Sequence, residues 1–252
     1  MNDKYNFQQK NFAVIGASSG IGRQCAMDLV GLGANVLAVG RNFERLRALK
    51  ETDPEKIFVS QLDVTKATAE DWESTIGNFV EICGKLNGGV YTAGIWGLTP
   101  LNGFDVELAH KIFDTSFWGA VNFMQTAAKK KFSNLLSSFV LMSSVAANHP
   151  SKSLFAYSAA KAAVQAAVKS FAKEIIKNGH RINSIAPALV QTEMMNTDFA
   201  VMAAEMIPKH TLGICEAEDV SEMILFLLSE RAKKITGHNF SLDGGYLSGA
   251  LI

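Results

Sequence analysis

The amino-acid sequence predicts a doubly wound α/β fold: a parallel sheet of about seven strands with helices on both faces. Three observations carry this. Short apolar runs recur along the chain, segments of helical periodicity separate them, and a glycine-rich loop stands at the first strand-to-helix junction. The runs lie at 12–15, 36–39, 57–62, 89–91, 139–142 and 182–186, and a last one at 239–242 adds a seventh strand. Each is short and apolar on both faces, as buried parallel strands are. Between them, Leu46 and Leu49 follow Asn42 at helical spacing, and Ile76, Phe79, Val80 and Cys83 form one apolar stripe. Strand alternating with helix builds right-handed crossovers that cover both faces of the sheet.

A single domain over 1–252 is expected, because α/β chains of this size commonly fold around one sheet. No Pro/Ser-rich linker, repeat or charge block divides the chain. The stretch 192–210 is helical in pattern but belongs to no crossover, and it reads as a lid over the site. On it Met195, Phe199, Met202 and Met206 fall at steps of four, three and four. Such a stripe suits an apolar substrate, although an ordinary core face has the same pattern.

Composition narrows the partners. The chain is 48% hydrophobic and 19% charged, with a formal net charge of zero. It therefore has material for a core and no long-range field to hold a polyanion, so neither nucleic acid nor anionic membrane is expected as a partner. A small molecule is. Residues 1–10 are polar and no later run approaches a membrane span, which predicts a cytoplasmic location by default. Cys25, Cys83 and Cys215 are scattered, without metal-ligand or C-x-x-C spacing, and fit reduced thiols. The five histidines are equally dispersed, so no metal site is expected.

Three motifs carry chemistry. After the first strand comes Gly16-Ala17-Ser18-Ser19-Gly20-Ile21-Gly22, followed by a helical pattern. Glycines let backbone approach a pyrophosphate, and the N–H groups of a helix start attract anions. Tyr157 and Lys161 stand four apart on an alanine-rich helix and share one face. A fixed cation beside a phenol stabilises phenolate, which makes Tyr157 a candidate general acid/base. Taken alone, such a pair is often just a solvated helical face. Ser144 ends the preceding strand at the carboxyl edge, where open α/β sheets place ligands, and its hydroxyl can donate to a carbonyl oxygen. Ser143 reads as a strand-end serine that satisfies local backbone.

Together these residues resemble the short-chain dehydrogenase/reductase family in its compact Rossmann-type form, from Gly16 to Gly245. The matching pieces are the glycine loop, Asp63-Val64, Ala93-Gly94, the Ser144/Tyr157/Lys161 set, Ala186-Pro187 with Thr192, and Asp243-Gly244-Gly245. The resemblance implies hydride transfer between a nicotinamide and a carbonyl or alcohol carbon. Tyr157 would protonate the oxygen, Lys161 would hold the nicotinamide ribose and tune Tyr157, and Ser144 would orient the carbonyl. Asp63 and Val64 would contact adenine, and Val190 and Thr192 the carboxamide end. The stretch from Ile207-Pro208 to Leu225, with the Asp243-Gly-Gly ending, is similar to 3-oxoacyl thioester reductases. Family members pair through the helix before Ser144 and the helix carrying Lys161. Phe113, Phe117, Trp118, Phe123, Ala163, Ala167, Phe171 and Ala172 on those helices imply a homo-tetramer.

Three departures from the family pattern stand out. Tyr91-Thr92-Ala93-Gly94 replaces Asn-Asn-Ala-Gly, Ser116 replaces an active-site Asn linked to the lysine through water, and Pro187-Ala188 replaces Pro-Gly. Ser116 is kept as a candidate catalytic residue, and its shortness is the one support for another reading, a dinucleotide-binding sensor or assembly subunit without turnover. Cofactor choice rests on the end of the second strand, Val39-Gly40-Arg41-Asn42. Gly40 stands where NAD-preferring relatives place an acid, and Arg41 offers a fork of donors to a 2′-phosphate, with Ser18 and Ser19 close by. NADP(H) is therefore the expected cofactor.

Overall fold

In the computed structural model, which describes residues 5–196 and 200–248, the predicted alternation is realised. Strands and helices follow one another as β1 (Asn11–Ile15), α1 (Gly20–Gly31), β2 (Asn35–Gly40), α2 (Phe43–Lys50), β3 (Ile57–Gln61), α3 (Ala69–Cys83) and β4 (Leu86–Tyr91). Next comes a rod made of α4 (Val106–Phe113), a π turn (Asp114–Trp118) and α5 (Gly119–Ala127), which leads to β5 (Ser133–Met142). Then follow α6 (Phe155–Ile175), β6 (Arg181–Pro187), β7 (Val190–Gln191), α7 (Ala200–Met206), β8 (Cys215–Glu216), α8 (Ala217–Leu228) and β9 (Asn239–Leu242).

Seven strands form one sheet in the order β3-β2-β1-β4-β5-β6-β9, parallel throughout. Their two-sided apolarity is used in full. Phe12, Val14, Val36, Ala38, Val140 and Met142 face a core shared with α1, α2 and α8; Ala13, Ile15, Leu37, Val39, Phe139 and Leu141 face one shared with α3, α5 and α6. Alternate residues thus point to opposite layers, as strand geometry requires. Asn42 caps α2 by accepting the Arg45 N–H, and a Thr68/Asp71 capping box starts α3.

β4 and β5 begin well before their apolar runs, at Leu86 and Ser133. At β4, Gly88 brings the backbone so close to β5 that a Cβ would overlap the Ser138 carbonyl, and that glycine dilutes the hydrophobic signal. β5 opens with Ser133 and Asn134, whose side chains bond backbone carbonyls rather than fill the core. β7 and β8 pair as a separate two-stranded ribbon, and two residues each is too short for any periodicity to announce.

Candidate active site

The strand order reverses between β1 and β4, so the loops leaving their carboxyl ends diverge and open a crevice. A cavity of about 670 Å³ occupies it. Every candidate site residue read from the sequence borders this cavity except Asp63 and Ser116.

Its nucleotide side is made of backbone. A Cβ on Gly16 would stand 2.6 Å from Thr92 Oγ1 and 2.7 Å from the Ala93 nitrogen, and one on Gly22 would overlap the Gly16 carbonyl. Glycine is thus the residue that lets loop, α1 and the end of β4 meet. Ser19 N-caps α1 without a side-chain bond and no acid occupies the first turn, so the helix's N-terminal N–H groups are left to an anion. Thr192 reaches across: a Cβ on Gly20 would lie 3.2 Å from its methyl group.

Farther along this side, Gly40, Arg41, Asn42 and Arg45 border the cavity. A Cβ on Gly40 would be 3.2 Å from Ser18 Oγ, which leaves little room for an acid at that position. Asp63 turns its carboxylate to Thr65, accepting from the backbone N–H at 3.1 Å and the hydroxyl at 2.8 Å. Burial would raise its pKa, but those bonds, with Arg41 and Lys66, hold it below the ordinary value. Its neighbours Leu62 and Val64 border the cavity in its stead.

The catalytic side is made of side chains. Ser144 leaves β5 as the cap of a short turn, its Oγ accepting the Ala146 N–H at 3.2 Å. Ser143 donates to the Lys161 carbonyl at 2.9 Å, tying α6 against the end of β5. Lys161 is 3% exposed; its Nζ donates to the Met142 carbonyl at 2.9 Å and lies 5.7 Å from the Tyr157 ring centroid. Burial pushes the ammonium down from 10.5 to about 8. The Tyr157 ring is half-buried against the cavity. Burial pushes its phenol up and a hydrogen bond with Ser144 pulls the other way. The four-residue spacing of Tyr157 and Lys161 predicts a phenol lowered by the cation. In the fold burial prevails, because the same dry surroundings also weaken the charge on Lys161.

A family model described as enoyl-(acyl carrier protein) reductase matches residues 16–247. The chain belongs to the short-chain dehydrogenase/reductase family. It is 30% identical to D-erythrulose reductase of Gallus gallus, over 98% of this chain and 99% of that one. It is 29% identical to the vibriobactin-specific 2,3-dihydro-2,3-dihydroxybenzoate dehydrogenase of Vibrio cholerae, over 92% of this chain and 94% of that one. A short-chain type dehydrogenase/reductase from Mycobacterium ulcerans superposes with a TM-score of 0.89 at 28% identity, covering 97% of this chain and 92% of that one. The family's cofactors are nicotinamide dinucleotides, and the uncapped start of α1 beside a glycine cradle fits their pyrophosphate.

Against the family pattern, two departures meet at one place. Ser116 lies in the π turn, 1% exposed, and its Oγ has no hydrogen-bond partner. It does not border the cavity, whereas Thr115 does. A Cβ on Gly94 would nevertheless be 3.6 Å from Ser116 Oγ and 3.3 Å from Lys161 Nζ, so the two groups flank that glycine. Tyr91 is buried and donates to the Thr115 carbonyl at 2.5 Å, while Thr92 Oγ1 donates to the Ile15 carbonyl at 2.8 Å. The end of β4 is therefore tied to the rod on one side and to β1 on the other. Ala188 keeps a negative φ, so the third departure imposes no strain.

Sequence reasoning missed much of the substrate side, which Trp96, His149, Leu154 and Tyr246 help to line. Tyr246 stacks on His210 with centroids 5.0 Å apart and meets His149 edge-on at 5.9 Å. His210 is buried, with Nδ1 2.9 Å from the Met206 carbonyl and Nε2 accepting the Leu189 N–H at 3.4 Å. The signal available was an aromatic residue directly after Asp243-Gly244-Gly245, whose two glycines take φ of 55° and 88° and swing the chain over His210. Among the described residues of 192–210 stand a 3₁₀ turn (Glu193–Asn196), α7, and a 3₁₀ turn (Ile207–Lys209) in which Pro208 stops α7. Met195 and Met206 border the cavity. Phe199 and the Met202 side chain lie outside the described residues.

Proposed function

We propose that this chain is an NADP(H)-dependent carbonyl reductase that acts on ketones, 3-oxoacyl thioesters among them, with 192–210 as a lid. The observation that carries the reading is Tyr157 at the cavity, beside Ser144 and one helical turn from the buried Lys161. A nicotinamide dinucleotide, when bound, supplies or takes up the hydride. Tyr157, kept protonated by burial, delivers its proton to the carbonyl oxygen. Ser144 has a lone pair engaged by Ala146, which leaves its proton for the same oxygen as negative charge develops there. Lys161, with a pKa near 8, exchanges protons close to working pH and reprotonates the phenol side of the site. Gly16, Ser18, Ser19, Gly20, Ile21 and Gly22 would hold the pyrophosphate, Val64 the adenine with Asp63 shaping that turn, Ala93 and Gly94 the ribose side, and Pro187, Val190 and Thr192 the carboxamide.

Gly40, Arg41 and Arg45 support the choice of NADP(H), since two arginines border the cavity beside Gly40, the position at the end of β2 that carries no acid. D-erythrulose reductase among the relatives, and Met195, Met206 and Leu154 in the wall, support a ketone with an apolar part. A tetramer in a reducing cytoplasm completes the reading. Trp118 is 53% exposed, and Phe155 and Phe104 pack edge-to-face on the surface beside it, which supports a partner face. Phe123 and Ala172, expected on that face, are instead buried in the core, where their helix sides meet the sheet.

A panel of ketones and aldehydes assayed with NADPH and with NADH tests the reading. NADPH oxidation with at least one ketone is expected, and Tyr157→Phe should lose about 10²–10⁴-fold in kcat while still binding NADPH. Undiminished turnover in Tyr157→Phe overturns the mechanism, and a preference for NADH overturns the cofactor. Dinucleotide binding without turnover across the panel would instead favour the non-catalytic sensor.

A further inference from the structure

The rod α4–α5 is widened at one point. Gly119 N–H bonds the Asp114 carbonyl five residues back, in place of the Thr115 carbonyl four back. The Thr115 carbonyl takes the Tyr91 phenol at 2.5 Å. Tyr91 is 1% exposed, and burial, with Asp63 adding to it, keeps the phenol protonated, so it is a permanent donor. Gly119 admits it, since a Cβ there would overlap the phenol oxygen. The next residue after Thr115 is Ser116, whose buried, unpartnered Oγ flanks Gly94 together with Lys161 Nζ.

We propose that Tyr91 is a positioning residue for proton transfer: by holding the Thr115 carbonyl it sets the π turn, and so presents the Ser116 hydroxyl to the Lys161 side of Gly94. A serine is shorter than the family's asparagine, and the turn must carry it inward. The departures at Tyr91 and Ser116 are then one arrangement, one residue supplying the reach that the other lacks. This rests on the roles of Tyr157 and Lys161 proposed above. Around Lys161, Tyr157 faces it from its own helix, the Met142 carbonyl from β5, and Tyr91, with Asp63 behind it, stands beyond the turn. Asp114 faces the other way, into the groove beside Phe104 and Phe155.

The test reads Lys161 directly, by ¹⁵N-lysine NMR titration, alongside the pH profile of ketone reduction and the Kd for NADPH. Removing the hydroxyl dipole from beside the ammonium disfavours its charged form. Tyr91→Phe and Ser116→Ala should each move the Lys161 titration to lower pH and lower kcat about 2- to 5-fold, less than a direct hydrogen bond is worth because none joins Ser116 Oγ to Lys161 Nζ, with Kd unchanged. The double variant should do no more than either alone. Gly119→Ser added to Tyr91→Phe should restore wild-type behaviour, because a serine hydroxyl can bond the carbonyl four residues back, here that of Thr115, in the space the phenol oxygen vacates. Should Tyr91→Phe fail to fold, Gly119→Ala displaces the same phenol with its ring in place and is expected to act alike. A Tyr91→Phe protein with lowered Tm but unchanged Lys161 titration and pH profile overturns the proposal, and so does additivity with Ser116→Ala. A wild-type protein that turns over no ketone would defeat the reductase reading instead, and the lysine titration would still judge this one.

Discussion

The two walls of the cavity are built on opposite plans. The nucleotide wall takes most of its residues from one continuous stretch, Gly16 to Arg45, and its shape is set by backbone approaching backbone at Gly16 and Gly22. The substrate wall gathers Trp96, His149, Leu154, Met206 and Tyr246 from distant segments, and its shape is set by side chains stacking on one another. A contact that tolerates no Cβ can be made by one residue type alone, whereas a contact between side chains can be made by many. One wall is therefore narrow in the sequences it accepts and the other broad. Changes to the nucleotide wall should therefore be sharp and selective, and changes to the substrate wall graded.

The sharpest selective change is expected at Arg41. Arg41 borders the cavity directly after β2 and is exposed, with the Asp63 carboxylate as a neighbouring charge. A charge-assisted pair with a 2′-phosphate is lost in Arg41→Ala, which should lower kcat/KM for NADPH about 10- to 100-fold. The value for NADH should change little. Arg45→Ala, one turn into α2, should follow the same pattern more weakly. Equal losses with both cofactors would mean that Arg41 shapes the loop and does not read the phosphate.

Legibility followed the same division. Gly16, Gly20 and Gly22 pointed to a close-packed loop at the crevice, because their spacing next to a strand has few other uses, and Tyr157 with Lys161 pointed to one face of the cavity, because four residues on a helix are neighbours whatever else the fold does. Most of the sheet was legible for a similar reason: strands apolar on both faces have to lie between two layers. Arg45 was missed because it becomes part of the site only when Asn42 caps α2 and fixes the first turn. The Tyr91–Thr115 bond, the unpartnered Ser116 hydroxyl and the stack of Tyr246 on His210 were missed because each joins segments far apart in sequence. The Asp63 carboxylate's bonds to Thr65 had no signal of their own, since a threonine two residues on is compatible with any turn.

Between the two walls stands Lys161, where stability and function pull apart. The ammonium titrates at 10.5 when free and at about 8 in the fold, so below pH 10.5 the unfolded chain binds a proton more readily than the folded one. Stability therefore falls as pH drops from 10.5 to about 8 and stays at the lower level below that. Lys161→Met removes a cost of about 3 kcal/mol at pH 7 and forfeits about 2 kcal/mol for the charge-assisted bond to the Met142 carbonyl. Tm at pH 7 should rise by about 2–4 °C while activity is lost, and the gain should shrink as pH approaches 10.5. Arg41→Ala, being exposed, should leave Tm where it is. Differential scanning calorimetry at pH 7, 9 and 10.5 checks both, and a Tm below wild type at pH 7 would mean that the Met142 bond outweighs the buried charge.

The smallest effect is expected on the substrate wall itself. Met206 ends α7, half-buried, with its carbonyl beside His210 Nδ1 and its side chain on the cavity. Met206→Gln keeps the length of the side chain and leaves the backbone bond to His210 in place, so it changes only the polarity of the surface a substrate meets. Placing an amide against an apolar ketone costs partial desolvation at a site that water still reaches, which sets the scale at about 2- to 5-fold in KM. The KM for NADPH should not move, because that cofactor would lie along the other wall, and kcat should hold because Tyr157, Ser144 and Lys161 are untouched. Met195→Gln should act in the same direction from the 3₁₀ turn. An unchanged KM for the ketone together with a lower Tm would assign both methionines to the core, and the substrate wall would then begin at Trp96 and Tyr246.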